Sequence, residues 1–128
     1  MVLFYAGLIV QSMGDSVEER AAREGDRVLF TCPNLSSAEN SVVWLYTPGA
    51  AYEGVQHIYT DGRMFSRWSS KCNVTTNATA STLALHSVQP SSAGYYECSE
   101  EHFSGFDVRF RVKLMVSGGY LAYPYTIK

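Results

Sequence analysis

The sequence predicts an all-β domain built as a sandwich of two antiparallel sheets. Nine tyrosines and six phenylalanines in 128 residues, with nearly half of the chain apolar, suit short strands around one hydrophobic core. Beyond residue 25, apolar and polar residues alternate in one segment after another. Turn signals recur about every eight to twelve residues, which is the spacing that a two-sheet sandwich requires.

The strands can be placed in order along the chain. Turns are expected at Pro48-Gly49, at residues 60–63 and at residues 89–94, and the alternation puts Val28, Phe30 and Cys32 on one face. No window of helical length has a sufficient apolar stripe. The predicted strands are DRVLFTC (26–32), SVVWLY (41–46), GVQHIYT (54–60), FSRWSSKCNVT (65–75), STLALHSV (81–88), YYECSEE (95–101) and FDVRFRVKLMV (106–116).

The first ten residues, MVLFYAGLIV, are almost wholly apolar and have two interpretations. They have the length of a signal-peptide core, with small residues at Ser12 and Gly14, but the basic residues that should precede it are missing. Alternatively, residues 1–14 contain the first strand of the domain, which we favour. The run is far shorter than the ~20 residues that a membrane helix needs, and no other run approaches that length.

Charge and composition indicate which partners to expect. Ten basic and twelve acidic residues give a net charge of −2 without a basic block, so we expect no nucleic-acid partner. The cysteines form no C-x-x-C pair and the three histidines are scattered, so we expect no metal and no cofactor. No G-x-S-x-G motif is present, and we expect the chain to have no enzymatic activity.

Three of the four asparagines lie in N-x-S/T sequons: Asn34 in NLS, Asn73 in NVT and Asn77 in NAT. Chance would readily produce one such site but not three. The excess indicates passage through the secretory route, where disulfides form and persist. We therefore expect an extracellular glycoprotein, either secreted or the ectodomain of a membrane protein, with any membrane contact made by a segment outside this chain.

The chain resembles the variable-type immunoglobulin domain. EGDRVLFTC (24–32) looks like strand B of that family, and Trp44, twelve residues after Cys32, stands at the position of the family's core tryptophan. STLALHSVQPSSAGYYEC (81–98) is similar to the stretch from strand E through strand F, with Tyr96 two residues before Cys98. The resemblance covers about residues 16–116. The separation of 66 between the cysteines leaves room for the C′ and C″ strands of variable domains.

The resemblance implies a disulfide from Cys32 to Cys98 across the two sheets, worth about 4 kcal/mol in the chain-entropy model. It also implies that Tyr96 caps a corner with its hydroxyl and that Tyr95, by strand parity, faces outward. Cys72 is then either a free thiol on strand D or half of a disulfide to another chain. The core residues that the resemblance implies are Trp44, Tyr96, Leu83 and Leu85.

Two positions depart from the family pattern. The family usually pairs an acidic residue, six positions before the second cysteine, with a basic residue at the start of strand D. Ser92 takes the acidic position here, so Arg63 or Arg67 lacks that partner. The segment after Cys98 also lacks the F-G-x-G of antigen-receptor joining regions, so a germline-encoded immune or adhesion receptor fits better.

The sheet face of strands G, F, C and C′, here the GFCC′ face, is one of two surfaces through which such domains bind. The other comprises the end loops 34–40, 59–64 and 101–106. Parity puts Val108, Phe110, Val112 and Leu114 inside and their neighbours outside. The expected partner-binding residues are Val43, Leu45, His57, Tyr95, Glu97, Glu101, Phe103, Arg109, Arg111 and Lys113.

The charges on this face have two interpretations. In the first, they pair with each other across strands F and G, and each pair is worth about 0.2–1 kcal/mol. Alternatively, Val43, Leu45 and Tyr95 form the dry centre of a protein interface with the charges as its rim. Because a face with both signs can complement itself, the partner is expected to be another protein or a second copy of the chain.

The resemblance thus implies a non-enzymatic recognition module of an immune or adhesion receptor. The immunoglobulin domain is expected over residues 1–116, with 117–128 as a linker or stalk. Two alternatives stay open: a structural spacer in a multidomain ectodomain, and a secreted or viral decoy binding protein.

Overall fold

A computed structural model describes residues 17–36, 41–49, 51–77 and 79–118. These residues form nine strands and a short 3-10 helix at Pro90–Ser92. The apolar N-terminal run lies outside the described residues, and so does the expected linker (117–128) beyond residue 118; its first residue, Ser117, ends the last strand. The strands are β1 (Glu18–Arg23), β2 (Val28–Cys32), β3 (Ser41–Thr47), β4 (Gln56–Thr60), β5 (Arg63–Met64), β6 (Cys72–Thr76), β7 (Ser81–Leu85), β8 (Gly94–His102) and β9 (Gly105–Ser117).

The strands form two sheets, which confirms the predicted all-β sandwich. The larger sheet has the order β1-β9-β8-β3-β4-β5, and the smaller sheet has the order β2-β7-β6. All neighbours pair antiparallel except β1, which runs parallel to β9. In the family's lettering, β9, β8, β3 and β4 are strands G, F, C and C′, and β5 takes the place of C″.

The core lies between the sheets and contains the residues that the sequence predicted. Cys32 and Cys98 are joined by a disulfide and are fully buried. Trp44 donates its indole N–H to Ser81 Oγ at 2.9 Å, so its one polar atom is satisfied inside the core. Trp44, Tyr96, Leu83 and Leu85 are each at most 3% exposed.

Tyrosine hydroxyls tie β3 and β8 to the turn that precedes β8. Tyr96 donates to the carbonyl of Ser92 at 2.6 Å, and Tyr46 donates to the carbonyl of Ala93 at 2.6 Å. Gly94 follows with φ of 144°, and a Cβ there would lie 2.7 Å from the Thr47 carbonyl oxygen, so a side chain would not fit. The corner role implied for Tyr96 is therefore confirmed.

The segments that differ from the prediction include β5 (Arg63–Met64), which was not expected as a strand, and two longer ones. The expected strand 65–75 is extended only from Cys72 onward, in β6 (Cys72–Thr76). Residues 66–71 form turns that bury Trp68, whose indole N–H donates to Gln56 Oε1 at 3.1 Å. Glu18–Arg23 was not predicted as a strand, because its charged residues hide a weak alternation that becomes a strand only by pairing with β9.

Cys72 is a free thiol that is only 1% exposed. Burial raises its pKa to about 11, and the positive charge of Lys71 offsets only part of that rise. So inaccessible a thiol favours the interpretation of Cys72 as a free cysteine. A disulfide to another chain would require the start of β6 to open.

Candidate functional site

The GFCC′ face is built from rows of residues that the strand register places side by side. One row runs Val108, Ser99, Val43 and Thr60 across the four strands. The next runs Arg111, Glu97, Leu45 and His57, and the last places Lys113 opposite Tyr95. The register thus brings most of the sequence-predicted binding residues onto one surface.

Val43 does not form the exposed apolar centre that parity suggested. It is only 3% exposed, and its neighbour Ser99 on β8 is equally buried. Leu45 and Tyr95 are half-buried. The prediction for Val43 was wrong because parity sets the direction of a side chain but not whether its neighbours cover it, and Val43 lies on an interior strand with a partner on each side.

A bulge in β9 reverses the expected orientation of two residues. The register shifts between Val108 and Phe110, so Val108 lies opposite Ser99 while Phe110 lies opposite Cys98 and packs against the core. Val108 is therefore 54% exposed rather than inside. Arg109, the extra residue, turns away from the GFCC′ face to Glu100, so both orientations predicted from strict alternation were wrong.

Below the bulge, an aromatic and charged cluster occupies the middle of the face. Arg111 Nε lies 3.5 Å from Glu97 Oε1, and the guanidinium carbon lies 4.7 Å and 4.8 Å from the ring centroids of Tyr52 and Tyr95. Tyr52 also donates its hydroxyl to Glu97 Oε1 at 2.6 Å, and Ser99 Oγ donates to Glu97 Oε2 at 3.2 Å. These contacts favour the cross-strand interpretation for this pair of charges.

Sequence reasoning missed Tyr52, which lies in the loop between β3 and β4. Its φ of 61° is in the left-handed region, which is uncommon for residues other than glycine. The only signal in the sequence was an aromatic residue after the Pro48-Gly49 turn. Its long-range contact with Glu97 could not be inferred from spacing.

A second charged cluster, also missed, joins the loop after β2 to the β8–β9 hairpin. Glu100 is completely buried and accepts hydrogen bonds from the Ser36 backbone N–H at 2.9 Å and from Ser36 Oγ at 2.9 Å. Arg109 Nη2 lies 3.0 Å from Glu100 Oε1. His102 Nε2 lies 3.9 Å from the same oxygen and 2.9 Å from Asp107 Oδ2. The ends of β2, β8 and β9 are thereby held together.

The β8–β9 hairpin exposes three apolar side chains, here called the hairpin patch: Phe103, Phe106 and Val108. Phe103 lies at the tip and is fully exposed, as its predicted loop position suggested. Phe106 is 62% exposed and lies opposite Glu101, in the same outward alternation as Val108 opposite Ser99. The patch thus extends the GFCC′ face at its hairpin end.

The remaining predicted residues lie around this surface. His57 is exposed on β4, where its ring packs 5.5 Å from that of Phe65 and its Nδ1 lies 3.3 Å from Thr60 Oγ1. Glu101 is exposed beside Phe106, and Lys113 is half-buried opposite Tyr95.

The sequon asparagines are all exposed. Asn73 is on β6, an edge strand of the smaller sheet, and Asn77 follows the same strand. Asn34 lies in the loop after β2 with φ of 60°. Sugars at Asn73 and Asn77 would therefore project from the smaller sheet.

Among the described residues, no group of three or more histidine, cysteine or acidic side chains is arranged to hold a metal ion. Over the same residues, no helix is long and apolar enough to cross a membrane.

Comparison with known proteins agrees with the geometry. Residues 16–116 match the immunoglobulin V-set domain, and no curated protein matches the chain. Domains of this kind are commonly recognition or adhesion modules, they are typically non-enzymatic, and with a disulfide they are typical of extracellular proteins. The match over most of the chain, the two sheets and the Cys32–Cys98 disulfide show that this chain belongs to the immunoglobulin V-set family.

Proposed function

We propose that this chain is a non-enzymatic, extracellular recognition module of an immune or adhesion receptor that binds a protein partner through its GFCC′ face. One observation carries the proposal: Phe106 and Val108 are more than half exposed on the outward side of β9, beside the fully exposed Phe103. Contiguous exposed apolar side chains are unusual on a monomer and mark interaction surfaces.

The surroundings of the hairpin patch suit a protein interface. The hairpin that carries it is fixed by the Glu100–Arg109 pair and by His102 with Asp107, so little ordering cost is expected on binding. Glu101 and Lys113 lie on the same face and provide charges for a polar rim. Arg109, whose guanidinium is turned to Glu100, contributes support to the hairpin and is removed from the proposed contact set.

The partner is either a different protein or a second copy of this chain. The face carries both Glu101 and Lys113, so two copies related by a two-fold axis could bring opposite charges together. The exposed sequons at Asn73 and Asn77 belong to the smaller sheet, so glycans there would leave the GFCC′ face of the larger sheet open for contact. We propose a domain over residues 1–116 followed by a linker or stalk, as the sequence indicated.

Sedimentation velocity over a concentration series tests the self-association. The variants are Val108→Glu on the patch and Leu29→Glu as the matched control, since Leu29 is 45% exposed on β2 of the opposite sheet. A dimer that Val108→Glu abolishes and Leu29→Glu retains would establish the second copy as partner. A monomer at all concentrations would exclude it.

For a different partner, fluorescent tetramers of the chain are applied to panels of intact cells. Staining that is lost with Val108→Glu and kept with Leu29→Glu supports binding through the patch. If no dimer, no patch-dependent staining and no binding to a soluble protein is found, the structural-spacer alternative is favoured. Binding to a soluble secreted protein instead of cells would favour the decoy alternative.

A further inference from the structure

A cavity opens at the end of the sandwich that carries the 3-10 helix, at the other end of β8 from the hairpin patch. Its volume is about 190 Å³. Its floor is apolar and consists of Trp68, Leu85 and Val88, each at most 5% exposed. The volume is several times the ~30 Å³ of one water molecule but below the ~300 Å³ at which pockets for drug-sized ligands begin. The space therefore suits a small organic group.

A cation, Lys71, borders this cavity. Lys71 Nζ lies 5.0 Å from the ring centroid of Trp68, so the ammonium is held over the indole. None of the lining residues is acidic. Within the part of the chain that the structure describes, no carboxylate lies within ion-pair distance of Lys71. The charge balance of the cavity therefore favours an anion.

Hydroxyl groups surround the same opening. Ser92 Oγ accepts the Gln89 backbone N–H at 2.9 Å and keeps its own proton for donation. Ser87 and Ser91 also line the cavity, and in the described residues their hydroxyls make no hydrogen bond. Each hydroxyl can donate to an acceptor oxygen. A carboxylate, which has two acceptor oxygens and a negative charge, fits this set of donors.

We propose that the cavity binds a small organic anion, namely a carboxylate attached to a compact apolar body. The body rests on Trp68, Leu85 and Val88, while the carboxylate meets the ammonium of Lys71 and the serine hydroxyls. The carboxylate comes either from a free small molecule or from the C-terminus of a peptide. This proposal is independent of the proposed partner surface, because the cavity shares no residue with the hairpin patch.

Titration with benzoate, followed in amide NMR spectra of the isotope-labelled chain, tests the proposal. We expect saturable shifts confined to residues around 71 and 85–92, with a Kd in roughly the low millimolar range for so small a ligand. Benzamide has the same shape without the charge and should bind about fivefold more weakly, the effect of one ion pair near the surface. Sulfate, which has charge without an apolar body, should also bind more weakly than benzoate.

Variants locate the charge contact. Lys71→Met should weaken benzoate binding about fivefold and leave benzamide binding unchanged, whereas Lys71→Arg should retain benzoate binding. Arg63→Met, at an exposed cation on β5 of the other sheet, is the control and should change neither. A peptide that ends in phenylalanine, tested with a free and with an amidated C-terminus, identifies the source of the carboxylate. If the free form binds more tightly than benzoate and the amidated form does not, the ligand is a peptide terminus. If the free form binds more weakly than benzoate, the ligand is a free small molecule.

Three results would overturn the proposal. These are the absence of saturable shifts, equal binding of benzoate and benzamide, and a Lys71→Met variant that binds benzoate like the unaltered chain. A thermal unfolding curve for each variant confirms that it is folded before binding is compared.

Discussion

Two of the ion pairs between β8 and β9 are glutamate–arginine pairs, and these two lie close together on opposite sides of the same sheet. On the GFCC′ face, Glu97 contacts Arg111 beneath Tyr52, a residue of a loop. On the inner side, Glu100 is completely buried and contacts Arg109 and the backbone of Ser36. The difference teaches that the same pair of residue types holds one loop over the outer face, where Glu97 is 7% exposed, and fixes two loops on the inner side.

The largest effect is expected from Glu100→Ala. The substitution leaves Arg109 and the Ser36 N–H without their buried acceptor, so the free energy of unfolding should fall by about 3 kcal/mol. Urea unfolding measures the loss. Glu101→Ala is the control on the adjacent, exposed position, and it should change stability by no more than about 0.5 kcal/mol. Equal losses for the two variants would contradict the contrast between the inner and outer clusters.

Tyr52→Phe should have a smaller effect, because the outer cluster has other contacts. The substitution removes the hydroxyl that donates to Glu97 and keeps the ring over Arg111, so we expect a loss of about 1 kcal/mol in urea unfolding. Tyr95→Phe is the matched control: its ring also contacts Arg111, but its hydroxyl makes no hydrogen bond among the described residues. The idea fails if both variants lose the same stability.

Cys72 provides a buried acid without an ion pair, and it changes the pH dependence of stability only at alkaline pH. Its pKa rises from 9.0 to about 11 on folding, because burial disfavours the thiolate. The folded state therefore holds the proton more tightly, and the contribution to stability is complete below pH 9 and is lost as the pH rises to about 11. Urea unfolding from pH 7 to 11 should show a shallower alkaline decline for Cys72→Ala. Parallel curves across that range would contradict the assignment.

The parts of the fold that were predictable depend on local patterns. The spacings between the cysteine pair, Trp44 and Tyr96 are fixed in the family pattern. The size of the Trp44 ring and the hydroxyl of Tyr96 also suit these residues to their positions in the core. Parity also gave the correct side for Tyr95 and Glu97. It failed at Arg109, because one extra residue in β9 shifts the alternation, and nothing within the strand marks where that residue is inserted.

Burial on the outward face was not predictable, because it depends on residues distant in sequence. Tyr52 reaches Glu97 only after the loop between β3 and β4 has folded back. Glu100 was a different case: its place two residues after Cys98 points it inward, but its acidic character argued for solvent. The backbone of Ser36 and the side chain of Arg109 resolve that conflict. Long-range partners decide whether a charge can be buried, and a single sequence does not specify them.

The parallel pairing of β1 with β9 has a consequence for aggregation. β9 is thirteen residues long, and without Glu18–Arg23 beside it, a row of unpaired backbone N–H and carbonyl groups would form the border of the larger sheet. Such a border is a template for adding strands from other molecules. The charged β1 pairs with six of these thirteen residues, Val112–Ser117, and the opposite border, β5, is only two residues long. Strand addition is thus disfavoured along Val112–Ser117 and at the short β5, which are the two places where the larger sheet would otherwise present a regular border.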